Sequence, residues 1–161
     1  MSDDIATIAR QEKALLFDGF DEDRAWRLGG LLRERAVAEG WPVVIDIRTF
    51  AGPLFLAALP GSSPDNVDWA RRKGNVVTRY HRSSYAVGLE LQVKGGTLES
   101  RYGLSAADYA AHGGAVPIAV RGTGVIGVAT ISGLPQREDH AAVVWAMGRL
   151  LGIEVEDLPP Q

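Results

Sequence analysis

The 161-residue sequence predicts an α/β fold, a two- or three-layer sandwich in which helices flank a five-stranded, largely antiparallel sheet. Three observations predict it. The pattern of periodicities runs helix, strand, helix, strand, strand, helix, helix, strand, strand, helix. Two pairs of neighbouring strands are joined by short glycine-containing connections, which suits antiparallel hairpins. Consistent strand–helix–strand crossovers, which a parallel sheet needs, are missing. The glycines of RGTGVIG do not overturn this, because they sit between two strands, whereas a dinucleotide fingerprint needs them between a strand and a helix.

Taken in order, residues Asp4–Lys13 form a short amphipathic helix with Ile5, Ile8 and Ala9 on one stripe, and Ala14–Phe17 is a candidate edge strand. Asp21 is placed to cap a helix that runs through Glu39 and is closed by Gly40, with Ala25, Leu28, Leu32 and Ala36 facing the core. Gly29 and Gly30 cost helix propensity and are read as permitting close approach to the sheet. Pro42–Thr49 alternates as a half-buried strand, and Leu54–Leu59 returns beside it after Phe50-Ala51-Gly52-Pro53. Ser63-Pro64 reads as cap and first residue of a helix reaching about Arg82. A further helix over Ser84–Val93 ends at Gly95-Gly96. Thr97–Gly103 reads as irregular or extended, and Ser105–Asp108 as the start of a short helix before His112-Gly113-Gly114. Val116–Val120 and Val125–Ile131 make the second hairpin, the latter apolar on both faces as a central strand is. A last helix spans about Gln136–Leu151.

These segments make one domain over residues 1–161, with its core at about residues 14–151 and a loose acidic tail at 153–161. The sequence has no cysteine, which excludes disulfides, thiolate nucleophiles and cysteine-held metals. The acidic start lacks the pattern of a signal peptide, and no apolar run reaches the ~20 residues of a membrane span, so a cytoplasmic protein is expected. A net charge of -3 predicts neither a nucleic-acid nor a membrane partner.

Chemistry concentrates in WARRKGNVVTRYHRSSY. On a helix Arg71, Asn75, Arg79 and Arg82 recur at spacings of four, four and three, so their donors converge beside the Ser83 and Ser84 hydroxyls, an arrangement suited to a carboxylate or phosphate. The alternative is a solvated or subunit-facing helix side. His81, His112 and His140 lack metal-site spacing, and no metal site is expected. His112 precedes the Gly113-Gly114 break, and His140 opens a helix; either imidazole can pack, act as a base or ligate haem iron, and His81, a Tyr or Met147 is a further candidate for iron ligation alone. No acid/base pair, nucleophile elbow or phosphate loop is legible, so enzyme activity is left open.

The set DNVDWARRKGNVVTRYHRSSY, HGGAVPIAV and GVIGVATISGLPQREDH, within Phe17–Leu151, resembles the haem-degrading domain superfamily of HbpS/GlcG-like proteins, and most of all its branch of uncharacterised (UPF) proteins. The shared elements are Trp69 followed by Arg72-Lys73, the Ser83-Ser84 pair, and Ser132-Gly133-Leu134-Pro135 with Asp139-His140. The resemblance implies the profilin-like sandwich, a symmetric homo-oligomer and, as possible cofactor, haem. The expected function is therefore an oligomeric domain that binds haem or another anionic small molecule. Its pocket would lie between subunits, where the basic helix meets Gly113, Gly114, the SGLP segment and His140. The alternative is a non-enzymatic scaffold that binds other proteins.

Overall fold

The structure, a computed structural model, describes all residues from 1 to 161. In chain order the elements are α1 (Ser2–Ala14), β1 (Leu16–Phe17), α2 (Glu22–Glu39), β2 (Val44–Thr49), β3 (Gly52–Ala58) and α3 (Pro64–Tyr80). There follow α4 (Ser84–Lys94), α5 (Leu98–Tyr102), β4 (Ala115–Val120), β5 (Gly124–Ser132) and α6 (Gln136–Leu151). One five-stranded sheet has the order β1-β4-β5-β2-β3. Only the short β1 runs parallel to its neighbour; β2–β3, β2–β5 and β4–β5 are antiparallel. The edge position of residues 16–17, the two hairpins and the central place of β5 agree with the sequence periodicities.

Helices lie against both faces of the sheet, which makes three layers. Ile45, Ile47, Val116, Ile118, Ala129 and Ile131 point to the side covered by α2 and α6, where Leu28, Leu32, Val143 and Met147 complete the main core. On the other side Val77 of α3 packs on Ala115 and Val128. Burial of these side chains, at about 2 kcal/mol each, is what holds the layers together. Gly29 lets α2 descend onto β3, since a Cβ there would strike the Phe55 ring. Gly30, expected to do the same, meets nothing and faces outward.

The helix ends explain where the chain turns toward the site. Asp21 accepts a hydrogen bond from Arg24 N at 2.9 Å, and Gly40 closes α2 in the left-handed conformation. Ser63 N donates to Asn66 Oδ1 at 2.9 Å in the first turn of α3. At its other end His81 takes φ 54°, stopping α3 at Tyr80 before Arg82 can join its face.

Three further expectations are corrected. Residues 98–102 are helical and not extended, because Thr97 accepts from Ser100 N at 3.1 Å while Ser100 Oγ accepts from Thr97 N at 2.9 Å. Ser105–Asp108 makes a turn and no helix; Ala110 N donates to Arg72 O at 3.1 Å and draws the chain along α3. The acidic tail is tied down, since Glu156 pairs with Arg10 at 2.7 Å, its carbonyl accepts from Gln11 at 2.7 Å, and Val155 packs on the main core. No helix is long and apolar enough to cross a membrane.

Candidate functional site

The inward face of α3 carries Ala70, Lys73, Gly74, Val76 and Val77. α3 lies against β5 here, at a spacing where even a Cβ on Gly74 would make only ordinary contact with Val128 and Thr130. Lys73 therefore enters the interior, only 4% exposed, and its Nζ stands 2.8 Å from Oδ2 of Asp139, a fully buried residue in the first turn of α6. The Ser132-Gly133-Leu134-Pro135 loop wraps the same carboxylate: Leu134 N donates to Oδ1 at 3.0 Å and Gly133 N to Oδ2 at 3.4 Å. Burial pushes the Asp139 carboxyl above the ordinary range, against the pull of Lys73 and the two backbone donors.

Two cavities meet around Trp69 and His112, which line both. The first, about 460 Å3, is walled mainly by apolar side chains including Leu91, Leu98, Leu104 and Tyr109, with Arg72 beside them. The second, about 300 Å3, is polar and lined by Asn66, Ser132, Gln136, Lys73 and Asp139. His112 stands edge-on to Trp69, ring centroids 5.3 Å apart. Desolvation of its ring, then the positive charges of Lys73 and Arg72, push its pKa below the usual histidine value, so the neutral imidazole is favoured. Arg72 lies over the Trp69 ring at 4.2 Å and pairs with Asp68 at 2.8 Å, which fixes the aromatic wall.

The arginines expected to form an anion cleft do not converge. Arg71 pairs with Asp68 and Asp108, each at 3.0 Å, and Asn75 donates to the Asp108 carbonyl at 2.8 Å, so both tether the 105–112 segment to α3. Arg79 is exposed. Arg82 lies past the α3 cap and pairs with Glu90 at 2.6 Å. The serines are structural: Ser83 accepts from Ala86 N at 3.2 Å to cap α4, and Ser84 Oγ accepts from Ala115 N at 3.1 Å.

Gly113 and Gly114 are close-approach points for protein and not for a ligand. A Cβ on Gly113 would overlap the Gln136 carbonyl; one on Gly114, at φ 135°, would lie 2.9 Å from Lys73 Nζ. His140 is sealed in the interior, its Nε2 2.9 Å from Gln11 Oε1 under α1, its ring against Tyr85, and its Nδ1 without a partner. It faces neither cavity. Met147 is likewise fully buried, and His81 stacks on Phe50.

The expected meeting of α3 with the GGAVPI and SGLP segments does occur, but through Lys73 and Asp139, which sequence reasoning passed over. The signal was present in outline: on a helix, position 73 shares the inward side with positions 70, 74 and 77, and a lysine there requires a buried partner.

A family model described as haem degrading protein, HbpS-like, matches residues 20–147. A UPF0303 protein of Burkholderia mallei (strain NCTC 10229) is 61% identical over 149 residues, covering 92% of this chain and 90% of the relative. The crystal structure of Ybr137w protein superposes with TM-score 0.85 at 31% identity, over 92% of this chain and 87% of that one. A structure described as a PduOC:heme complex shares the fold alone, with TM-score 0.69 at 17% identity over 86% of this chain and 99% of that one. From the matched length and the close relatives, the chain belongs to the HbpS-like haem-degrading protein family, in its UPF0303 branch.

Proposed function

We propose that this chain is a ligand-binding domain that takes haem, or another anionic molecule with a flat apolar body, in the 460 Å3 cavity beside α3. The observation that carries this reading is His112, an accessible imidazole on the cavity wall whose surroundings favour the neutral, ligating form. The residues present fit the group. Leu91, Leu98 and Leu104 offer apolar walls, His112 a nitrogen for iron, and Arg72 a cation near a propionate. Bound haem would supply an iron centre open to a nitrogen ligand; the protein's own part is to orient His112 through Trp69 and to keep water from the apolar wall. The haem complex among proteins of the same fold supports the choice of ligand. No catalytic step is assigned. The test is titration of the purified protein with haemin. A saturable Soret shift is expected, reduced at least about tenfold in affinity by His112→Ala, the loss of one specific contact. The absence of a saturable shift, or an unchanged one in His112→Ala, defeats the reading.

A second reading, self-association as a homo-oligomer or scaffold, is favoured by β3. This edge strand leaves one side of its backbone unpaired and carries Leu56 at 59% exposure. Light scattering across a dilution series should show an assembly that Leu56→Glu weakens; a monomer at all concentrations rejects it. The acidic net charge gives no general attraction to nucleic acid or anionic membranes, which supports a protein that engages neither, and a cytoplasmic location is proposed with it.

A further inference from the structure

We propose that the 300 Å3 polar chamber, on the α6 side of Trp69 and His112, is a second ligand site, and that it takes a small zwitterionic amino acid. At ~30 Å3 per water the chamber has the space of about ten waters, enough for a ligand the size of alanine.

The floor of the chamber is one positive and one negative group, 2.8 Å apart and nearly sealed from bulk solvent. Each is only partly satisfied. An ammonium has three donors, and within the protein Lys73 uses one, on Asp139. Gly114 closes one side of Nζ, and the chamber borders another. A carboxylate has about four acceptor positions, and Asp139 fills three, with Lys73, Gly133 N and Leu134 N. Buried charges in this state gain from partners that complete their hydrogen bonds.

Charge balance then selects the ligand. The Lys73–Asp139 pair sums to zero, so a lone anion or a lone cation would bring an uncompensated charge into a low-dielectric site. A zwitterion adds none. In an α-amino acid the carboxylate oxygen and the ammonium nitrogen are separated by a single carbon–carbon link, which matches a donor and an acceptor in direct contact. The carboxylate faces Lys73 and the positive end of α6, which begins at Gln136 in the chamber wall; the ammonium faces Asp139. Asn66 and Ser132 add polar wall for a small side chain. This assignment does not depend on haem binding, because the apolar cavity lies on the other side of the Trp69 and His112 pair.

The experiment is an NMR titration of the full chain that follows the Trp69 indole and His112 ring signals. The probes are alanine, propionate, which lacks the ammonium, and alaninamide, which lacks the carboxylate. Alanine should shift both residues saturably and bind about tenfold or more tightly than either analogue, the worth of one charge-assisted hydrogen bond. The double variant Lys73→Met/Asp139→Asn removes both charges but keeps an acceptor for Leu134 N, and replacing a buried pair together is tolerated better than breaking it. It should lose the preference for alanine while retaining haemin binding. Should it not fold, Ser132→Val adds bulk to the wall without touching the ion pair and should weaken alanine in the same way. Propionate binding as tightly as alanine, no shift at Trp69 and His112, or an alanine affinity unchanged in the folded variants overturns the proposal. Competition between alanine and haemin for one site would overturn the separation of the two cavities.

Discussion

His140 shows how far burial can change a side chain that looks chemically active in sequence. Sealed under α1, with Nδ1 unpaired, its imidazole is pushed down to about 4, first by desolvation and then by the nearby charge of Arg137. The folded state therefore resists protonation that the unfolded chain accepts at ~6.5. The resulting stability is complete above that value and is lost as pH falls toward 4, a contribution of roughly 3 kcal/mol. The thermal midpoint should fall between pH 6.5 and 4.5, and His140→Gln should flatten that slope; an equally steep slope in the variant would assign the effect elsewhere. His112, also shifted down, acts in the same direction, whereas the raised Asp139 acts against it. Gly88 matters for the opposite reason, having no side chain: a Cβ there would overlap the carbonyl oxygen of Ala111, next to His112. Gly88→Ala should cost about 1–3 kcal/mol in urea unfolding and weaken haemin binding, because α4 must move away from the segment that carries His112.

At the scale of elements, α3, α4 and α5 wall the apolar cavity. Residues 98–102 were not legible as a helix because five residues give too little periodicity, and the Thr97/Ser100 exchange of hydrogen bonds is a weak pattern without its geometry. Thr97→Ala should lower stability by about 1 kcal/mol and loosen Leu98 and Leu104 on the cavity wall, read as a lower urea midpoint with an unchanged slope. For α3 the helix itself was legible, from Ser63-Pro64 onward, but its charged face was misassigned. The periodicity holds for Arg71, Asn75 and Arg79, but Arg71 and Asn75 act as tethers to Asp68 and Asp108, Arg79 is exposed and Arg82 pairs with Glu90; helix geometry alone does not reveal this, since Asp108 lies 37 residues from Arg71.

For the whole molecule, the two chain ends act together as a cover for His140. Arg10, Gln11 and Arg137 hold the tail through Glu156 and Pro159, and Leu158 packs beside Ile8. Deleting residues 154–161 should lower the thermal midpoint and let the His140 imidazole titrate closer to 6.5, as read from its ring signals; an unmoved titration would show that α1 alone suffices as the cover.

By itself the sequence determined the α/β class, the hairpins, the helix limits at Asp21, Gly40 and Ser63-Pro64, and the family, since each rests on local periodicity, capping or a contiguous motif. Tertiary structure alone decided which polar side chains face a cavity. Lys73 and Asp139 are 66 residues apart and meet only because α3 and α6 close on the SGLP loop, while His140, one residue and about 100° further round its helix, turns away from both cavities and is sealed under α1. Helical periodicity indicates which face a residue occupies; what that face meets depends on packing between elements distant in the chain.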